Sequence, residues 1–319
     1  MSYIPKNSII IFDTNSYRDF VKNKTTQEVI ESTLRLKKLE SEQDIESNAS
    51  IIAIFEMLAN LGKEKSNDNF IECLKGLTSA SYHCFNGNKY NVIPYSVPLF
   101  CHFLHQEVPE NIENNIQGML GVLDSIKIDT EKAIEKHQED FKNYKEYISE
   151  IEKNYSELLK SFLEQIEVYV EKQFPKIQKK HKLTKKLEFL NSEIFLNDIS
   201  YGVIELMNHK LGKRVEKEEL DKMVIEFNST FPFSNKFYKY VLNELISKNI
   251  DLDSKTSLKK RLNWIWDYNI GIVIANSTIR GKKTFVVTGD KDLLEVIGNI
   301  EDSRVMTLEK YHSIIGYKE

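Results

Sequence analysis

Short apolar runs rich in β-branched residues lie near both ends of the chain and predict buried parallel strands. Two of these runs, 9–12 and 50–54, are near the N-terminus, and two others, 284–288 and 304–307, are near the C-terminus. Strands that are buried on both faces give continuous apolar runs instead of an alternating pattern. We therefore expect a parallel sheet to which both ends of the chain contribute.

Between these runs, apolar residues recur every three or four positions, which predicts helices. We expect helices at 26–39, 55–61, 262–279, 292–297 and 308–314. Alternation of strands and helices is typical of an α/β fold, in which the connections between parallel strands pack on the sheet. Because the first strand needs parallel neighbours, the N-terminal and C-terminal segments are expected to share one sheet flanked by helices.

The middle of the chain has a different pattern. From about residue 109 to 253 it is poor in Gly and Pro, alternates Glu with Lys, and carries apolar residues at helical spacing. This pattern predicts a large all-helical insertion. The expected organisation is a discontinuous α/β domain at 1–105 and 255–319, interrupted by a helical insertion at 106–254.

Composition limits the class of protein. The 319 residues are 41% hydrophobic and 29% charged, as in ordinary globular proteins, and the net charge is −4. That charge argues against a protein that binds nucleic acid through an overall positive surface, but carboxylates that bind divalent cations also lower the net charge of a metal-free protein. Three cysteines, no leader-like segment and no bilayer-length apolar run predict a cytoplasmic protein that does not enter a membrane.

Four acidic residues lie where an α/β sheet would form a ligand site. In an open parallel sheet, ligands bind beyond the carboxyl ends of the strands. Asp13 follows the first strand, Glu56 lies just beyond the second apolar run, and Asp290 follows the strand at 284–288. Asp267 lies toward the start of the long apolar helix. We expect these four carboxylates to face one crevice.

In their sequence context, these acids resemble the PIN-domain family of nucleases. The resemblance is carried by Ile-Ile-Ile-Phe-Asp-Thr-Asn at 9–15, the helix with Glu56, Asp-Tyr-Asn-Ile-Gly-Ile-Val-Ile-Ala at 267–275 and Val-Val-Thr-Gly-Asp-Lys-Asp at 286–292. These segments occur in the family's chain order and span roughly the first hundred and the last sixty residues. The resemblance implies a PIN-like parallel sheet flanked by helices and built from the two ends of the chain.

The resemblance also implies a cofactor, namely one or two Mg²⁺ or Mn²⁺ ions held by acidic residues for phosphodiester hydrolysis. Hard cations of this kind prefer oxygen ligands, so carboxylates are suitable without His or Cys. Asp13 and Asp290 are expected to be direct ligands, and Glu56 and Asp267 to be ligands or to hold water on the metal. Asp292 is a fifth acid in this set. The residues expected to orient a carboxylate or to contact substrate are Thr14, Asn15, Arg18, Thr288 and Lys291.

The function that this resemblance implies is a metal-dependent nuclease, with RNA expected as the substrate in preference to DNA. Free-standing PIN proteins often resemble toxins or defence effectors, so a protein partner or a homo-oligomer formed through the helical insertion is also expected. The alternative is a non-catalytic PIN-like scaffold that binds protein or nucleic acid through that insertion. A phosphatase of the haloacid dehalogenase type is disfavoured, because its motif needs a second Asp at the position of Asn15.

Each acid also has a purely structural explanation. Asp13 and Asp290 both precede a helix, where a carboxylate commonly caps the first backbone N–H groups. Glu56 is on a helix, where an acid is commonly a solvated surface residue. Asp267 lies among apolar and aromatic neighbours, where it must either face the surface or be paired. The occurrence of all four in one order favours an acidic site.

Two other groups of residues have the types needed for chemistry. The dense basic cluster at 179–186 is either a contact for a nucleic-acid backbone or a solvated turn between helices. The Cys and His residues at 83–105 are of the types that bind zinc, but their spacing does not match a standard finger. Buried thiols and surface histidines are the favoured explanation for them.

Overall fold

The computed structural model describes residues 4–62, 68–274, 279–301 and 304–318, with the backbone alone at 179, 210, 255–262 and 299–301. The chain divides into two compact units. The first unit combines Met1–Ser149 with Asn269–Glu319, and the second is Glu150–Tyr268. The first is an α/β unit made from both ends of the chain, and the described part of the second is built from helices.

The strands in the described residues are β1 (Ser8–Phe12), β2 (Ile45–Ser47), β3 (Ala49–Ser50), β4 (Phe85–Asn86), β5 (Lys89–Tyr90), β6 (Val92–Ile93), β7 (Lys283–Val287) and β8 (Val305–Met306). The helices are α1 (Thr14–Val21), α2 (Thr26–Glu42), α3 (Ile51–Asn60), α4 (Asp68–His83), α5 (Ser96–Phe103), α6 (Glu110–Ile128), α7 (Thr130–Lys136), α8 (Gln138–Gln173), α9 (Lys179–Leu190), α10 (Glu193–Lys210), α11 (Lys217–Thr230), α12 (Pro232–Ser247), α13 (Lys255–Gly271), α14 (Lys291–Glu301) and α15 (Leu308–Ile315).

The main sheet of the first unit is parallel, with the strand order β2, β1, β7, β8. In the central pair, Ser8 lies opposite Lys283 and Phe12 lies opposite Val287. Every residue of β1 is buried, which explains its continuous apolar sequence. The prediction that both ends of the chain share one parallel sheet is confirmed.

Helices flank this sheet and begin at its carboxyl edge. α1 starts directly after β1, and α14 starts a few residues after β7. α4 packs against α1, α2, α3 and α6, so it forms the centre of the helical layer. The mixed α/β architecture, a parallel sheet flanked by helices, is the one that the alternating pattern predicts.

The prediction of a strand at 50–54 is wrong. Ile51–Asn60 form α3, and the strand beside β1 is instead β2 at Ile45–Ser47. The Ser50 side chain caps α3 by accepting a hydrogen bond from the backbone N–H of Ala53. A helix that is buried on nearly all sides has the same continuous apolar run as a buried strand, so periodicity alone does not separate them.

The helix predicted at 262–279 begins and ends earlier than expected. α13 spans Lys255–Gly271, and the apolar residues 272–274 are buried without being helical. Gly271 is a residue type at which helices commonly end, and the β-branched residues that follow it have low helix propensity. Of the remainder of the predicted helix, 275–278 lies outside the described residues, and Ile279 forms a β-bridge with Lys282 instead of a helical turn.

The division into units differs from the predicted boundaries at 105/106 and 254/255. α6 and α7 belong to the first unit, whereas 255–268 belongs to the second. α6 packs on α3 and α4 through buried apolar residues that include Val122 and Leu123. A helical pattern shows which face of a helix is apolar but not which neighbour covers that face, so the sequence did not locate these boundaries.

The second unit packs α10 against α11 and α12, and α9 against α12. The part of α8 in this unit buries Tyr155, Leu159, Phe162 and Ile166, a stripe with the three- and four-residue spacing of a helix. The predicted helical character of this segment is therefore confirmed. In the described ranges, no helix is long and apolar enough to cross a membrane.

Candidate acidic site

Asp13 lies directly after β1 and is the N-cap residue of α1. Its Oδ1 accepts a hydrogen bond from the backbone N–H of Ser16 at 2.6 Å, and its Oδ2 accepts one from the hydroxyl of Thr288. Its own backbone N–H donates to the carbonyl oxygen of Val287 at 3.1 Å. Asp13 therefore caps a helix, as its structural explanation required, and also joins the ends of β1 and β7.

Asp13 is only 3% exposed, and burial raises the pKa of its carboxyl group from the ordinary value of 3.8 to about 6. Hydrogen bonds from Thr288 and Ser16 lower the pKa in part, whereas the negative charge of Asp290 raises it further. Asn, Ser or Thr would cap a helix without placing a charge in the interior. Helix capping therefore does not account for a buried carboxylate at this position.

Asp290 follows β7 and occupies the N-terminal end of α14. Its Oδ1 accepts hydrogen bonds from the backbone N–H groups of Asp292 at 2.8 Å and Leu293 at 3.0 Å. Among the described residues, no hydrogen bond occupies its other oxygen, Oδ2. The backbone N–H of Asp290 donates to the hydroxyl of Thr288 at 2.9 Å. Thr288 therefore links the two acids, because the same hydroxyl donates to Asp13.

Glu56 lies on α3 and is half-buried. Its Oε2 accepts a hydrogen bond from the hydroxyl of Thr14 at 2.6 Å. Because Thr14 follows Asp13 at the start of α1, this bond holds Glu56 at the carboxyl edge of the sheet. Three of the four expected acids, from three distant segments of the first unit, therefore lie at this edge: Asp13, Glu56 and Asp290.

Asp267 belongs to the second unit, on the part of α13 that precedes the boundary. It is 8% exposed. Burial and the nearby Tyr268 and Asp267 raise the pKa of the Tyr155 hydroxyl, so the Asp267 carboxylate lies near Tyr155 within that unit. Its expected place beside the other three acids stays a prediction.

The residues expected to contact substrate or to orient the acids have different environments. Asn15 on α1 and Lys291 at the start of α14 are exposed, and Asp292 lies in the first turn of α14. Arg18 is engaged within the protein, since its Nε and Nη2 donate to Glu72 on α4 at 3.1 and 2.6 Å. A substrate contact by Arg18 would have to compete with this half-buried ion pair.

Two residues at this edge were not identified from the sequence. The Ser16 hydroxyl donates to the carbonyl oxygen of Val287 at 2.9 Å, which is a second link between α1 and β7. Oδ2 of Asp19 lies 3.4 Å from the position that a Cβ on Gly289 would occupy, so a further carboxylate lies beside the residue before Asp290. Asp19 lies four residues after Asn15 on α1, and this spacing could have indicated that the two residues share a helix face.

The described residues contain no group of three or more His, Cys, Asp or Glu side chains arranged to hold a metal ion. The three acids therefore do not form a closed ligand set. Their chemistry nevertheless suits a hard divalent cation, since the donors are carboxylate oxygens and, within the part of the chain that the structure describes, one oxygen of Asp290 accepts no hydrogen bond. A cation would also offset the repulsion between Asp13 and Asp290 that raises the pKa of Asp13.

The basic cluster at 179–186 lies in α9, and part of it is paired with acidic residues. Lys182 forms ion pairs with Glu167 and Glu171 on α8, and Lys186 also pairs with Glu167. These pairs join two helices of the second unit and offset the positive charge. The arrangement favours a solvated helix surface over a contact for nucleic acid.

The Cys and His residues at 83–105 do not assemble into a zinc site in the described part of the chain. His83 and Cys84 are buried and hydrogen-bonded to other side chains, and Cys101 is buried on α5. His102 and His105 are exposed. The expectation of buried thiols is confirmed, because all three cysteines are buried and free. The expectation of surface histidines holds for His102 and His105 but is wrong for His83, whose ring nitrogens lie against buried polar side chains.

Comparison of the chain with protein-family models, with curated proteins and with solved structures finds no match. The resemblance to PIN domains therefore stays a prediction from the sequence, based on the acidic residues, their order and their strand context.

Proposed function

We propose that this protein is a metal-dependent nuclease of the PIN type, which hydrolyses phosphodiester bonds in RNA. The observation that carries the proposal is the proximity of Asp13, Glu56 and Asp290 at the carboxyl edge of a parallel sheet. This edge is where open α/β sheets bind their ligands. The acids come from distant segments, so their proximity is not a consequence of local helix capping alone.

The raised pKa of Asp13 also supports the proposal. Carboxyl groups whose pKa is shifted by burial and by a like charge are concentrated at functional sites. In Asp13 both causes are present, with burial as the larger one and Asp290 as the neighbouring charge. The protein thus keeps a carboxylate where a neutral cap would be less costly, as expected for a group retained for its chemistry.

Asp13 and Asp290 are the residues that would hold the metal, with Glu56 beside them. Mg²⁺ or Mn²⁺ held there would supply the positive charge that activates water and neutralises the scissile phosphate. Ser16 and Thr288 fix the two oxygens of Asp13, and Thr14 fixes one oxygen of Glu56. Carboxylates held in this way need little rearrangement when the site is filled.

The protonation state of Asp13 sets the pH at which this site works. A carboxylate must be deprotonated to bind a cation. With a pKa of about 6 in the metal-free protein, Asp13 loses its proton from the carboxyl group as the pH rises toward neutrality. We therefore expect activity at neutral and alkaline pH to exceed that at pH 5.

The test is cleavage of end-labelled single-stranded RNA and DNA oligonucleotides in Mg²⁺, in Mn²⁺ and in EDTA. We expect RNA cleavage by the wild type with metal, and a loss of about a hundredfold or more in Asp13→Asn and in Asp290→Asn. Glu131→Gln, which removes an exposed acid from α7, is the control for a change in net charge.

The result that contradicts the proposal is equal cleavage by the wild type and both Asp variants, or no cleavage under any metal. In the second case, binding of the same RNA without cleavage would favour the non-catalytic scaffold. The proposal also includes a cytoplasmic location. It includes a protein partner that binds the helical insertion.

A further inference from the structure

A network of buried polar side chains lies in the first unit, separate from the acidic site. Its centre is Glu40 on α2, which is 0% exposed. The Glu40 carboxylate lies 2.9 Å from Nε2 of His83 and accepts hydrogen bonds from the hydroxyls of Tyr311 at 2.5 Å and of Ser47. Four separate elements, α2, α4, α15 and β2, therefore meet at one carboxylate.

The network continues from His83 to α1. The hydroxyl of Tyr17 lies 3.2 Å from Nδ1 of His83 and 3.4 Å from Sγ of Cys84. In the tautomer whose Nε2–H donates to Glu40, Nδ1 of His83 accepts from the Tyr17 hydroxyl, and the Tyr17 oxygen accepts from the Cys84 thiol. Each polar atom then has a partner. The Glu40 network is the set Tyr17, Glu40, Ser47, His83, Cys84 and Tyr311.

Three rings of the Glu40 network enclose Phe12, the residue before Asp13. The Phe12 ring packs edge-on against His83 and Tyr311, with centroids 5.0 and 5.6 Å apart, and tilted against Tyr17 at 5.3 Å. Side chains of successive extended residues point to opposite sides of the chain. The network therefore holds the backbone at Phe12 from the side opposite to the Asp13 carboxylate.

Tyr17 holds the other side of Asp13. It lies in the first turn of α1, and its backbone N–H donates to the carbonyl oxygen of Asp13 at 3.2 Å. Its ring contacts Phe12, and its hydroxyl belongs to the Glu40 network. Asp13 thus lies between two residues, Phe12 and Tyr17, whose positions the same buried network determines.

We propose that the Glu40 network is a positioning device for Asp13 and that Tyr17 is the positioning residue through which it acts. A carboxylate that binds a cation must keep its position within a fraction of an ångström, and a displacement of about 1 Å can reduce a rate a hundredfold. The proposal rests on the proposed function, because the rate it affects is the one assigned to Asp13.

The test compares Tyr17→Phe with Thr33→Val. Tyr17→Phe keeps the ring against Phe12 and removes the hydroxyl shared by His83 and Cys84. Thr33→Val removes another buried hydroxyl of the same unit, which bonds Ser79 at 2.8 Å and joins α2 to α4. We expect Tyr17→Phe to lower kcat for RNA cleavage by roughly tenfold with KM little changed, and Thr33→Val to leave both unchanged.

A second readout does not depend on activity. In metal-free protein, we expect Tyr17→Phe to move the carboxyl carbon NMR resonance of Asp13, and Thr33→Val to leave it in place. If Tyr17→Phe does not fold, the same measurement is made on Tyr311→Phe. That variant removes a hydroxyl that donates to Glu40 and keeps the ring beside Phe12. An unmoved Asp13 resonance in the folded variant overturns the positioning role. Absence of cleavage by the wild type, with a moved resonance, overturns the nuclease proposal alone.

Discussion

The hydroxyl of Thr288 donates a hydrogen bond to the carboxylate of Asp13, although 275 positions separate the two residues along the chain. The same hydroxyl accepts a hydrogen bond from the backbone N–H of Asp290. A hydroxyl that accepts from Asp290 directs its single proton to Asp13, so it stabilises the charged form of that carboxyl group. This bond only partly offsets burial, which leaves the pKa of Asp13 at about 6.

Asp13→Asn is therefore expected to stabilise the metal-free protein at neutral pH. The folded-state pKa of Asp13 is about 6 against an ordinary value of 3.8. The protonated carboxyl group therefore contributes its full stability to the wild type below pH 3.8, and this stability is lost as the pH rises through about 6, because the buried group then becomes charged. That difference corresponds to at most roughly 3 kcal/mol. Urea unfolding in EDTA at pH 4 and pH 8 measures it.

The pH dependence separates this effect from a general effect of the substitution. The advantage of Asp13→Asn over the wild type should be small at pH 4 and large at pH 8. Glu131→Gln, at an exposed position, should show no such change between the two pH values. An advantage of Asp13→Asn that is the same at both pH values would show that the carboxyl group is not destabilised by burial.

Thr14→Val is expected to reduce nuclease activity by roughly ten- to a hundredfold, because it removes the donor that fixes Glu56. The bond is partly buried, so the loss of unfolding free energy should be about 1 kcal/mol. Steady-state kinetics and urea unfolding of the same samples measure the two effects. Thr14→Ser keeps the hydroxyl and should restore most of the activity, and a failure to do so would argue against the role of this bond.

Ser50→Ala is expected to lower the free energy of unfolding by about 1 kcal/mol, because it removes the side-chain cap of α3. Ser50→Thr retains a hydroxyl and should lose less. Urea unfolding of the wild type and both variants provides the measurement. Equal losses in the two variants would show that the hydroxyl cap does not account for the loss, since only Ser50→Thr keeps the hydroxyl.

The three cysteines are expected to be unreactive in the folded protein. All three are buried, and burial raises the pKa of Cys84 to about 12, so at pH 8 its thiol is almost entirely protonated. Ellman's reagent at pH 8 should titrate no thiol in native protein and three in guanidinium chloride. Rapid native labelling of Cys84 would contradict the buried position given to it in the Glu40 network.

The sequence alone determined the features that depend on local pattern. β1 and β7 are buried on both faces, so their β-branched runs identify them without reference to any neighbour. The helical stripe at Tyr155, Leu159 and Phe162 is likewise a local periodicity. The positions of Asp13 and Asp290 after these strands also follow from the order of residues, since parallel strands of one sheet end at the same edge.

The tertiary structure decided what depends on contacts between distant residues. The helix at Ile51–Asn60 has an apolar run that a strand would also have, and only its buried surroundings distinguish the two. Glu56 reaches the edge of the sheet through Thr14, and Arg18 is engaged by Glu72. Burial of Asp13 and Glu40 likewise has no local signal. Their burial and their partners come from elements far apart in the chain, and only packing brings those elements together.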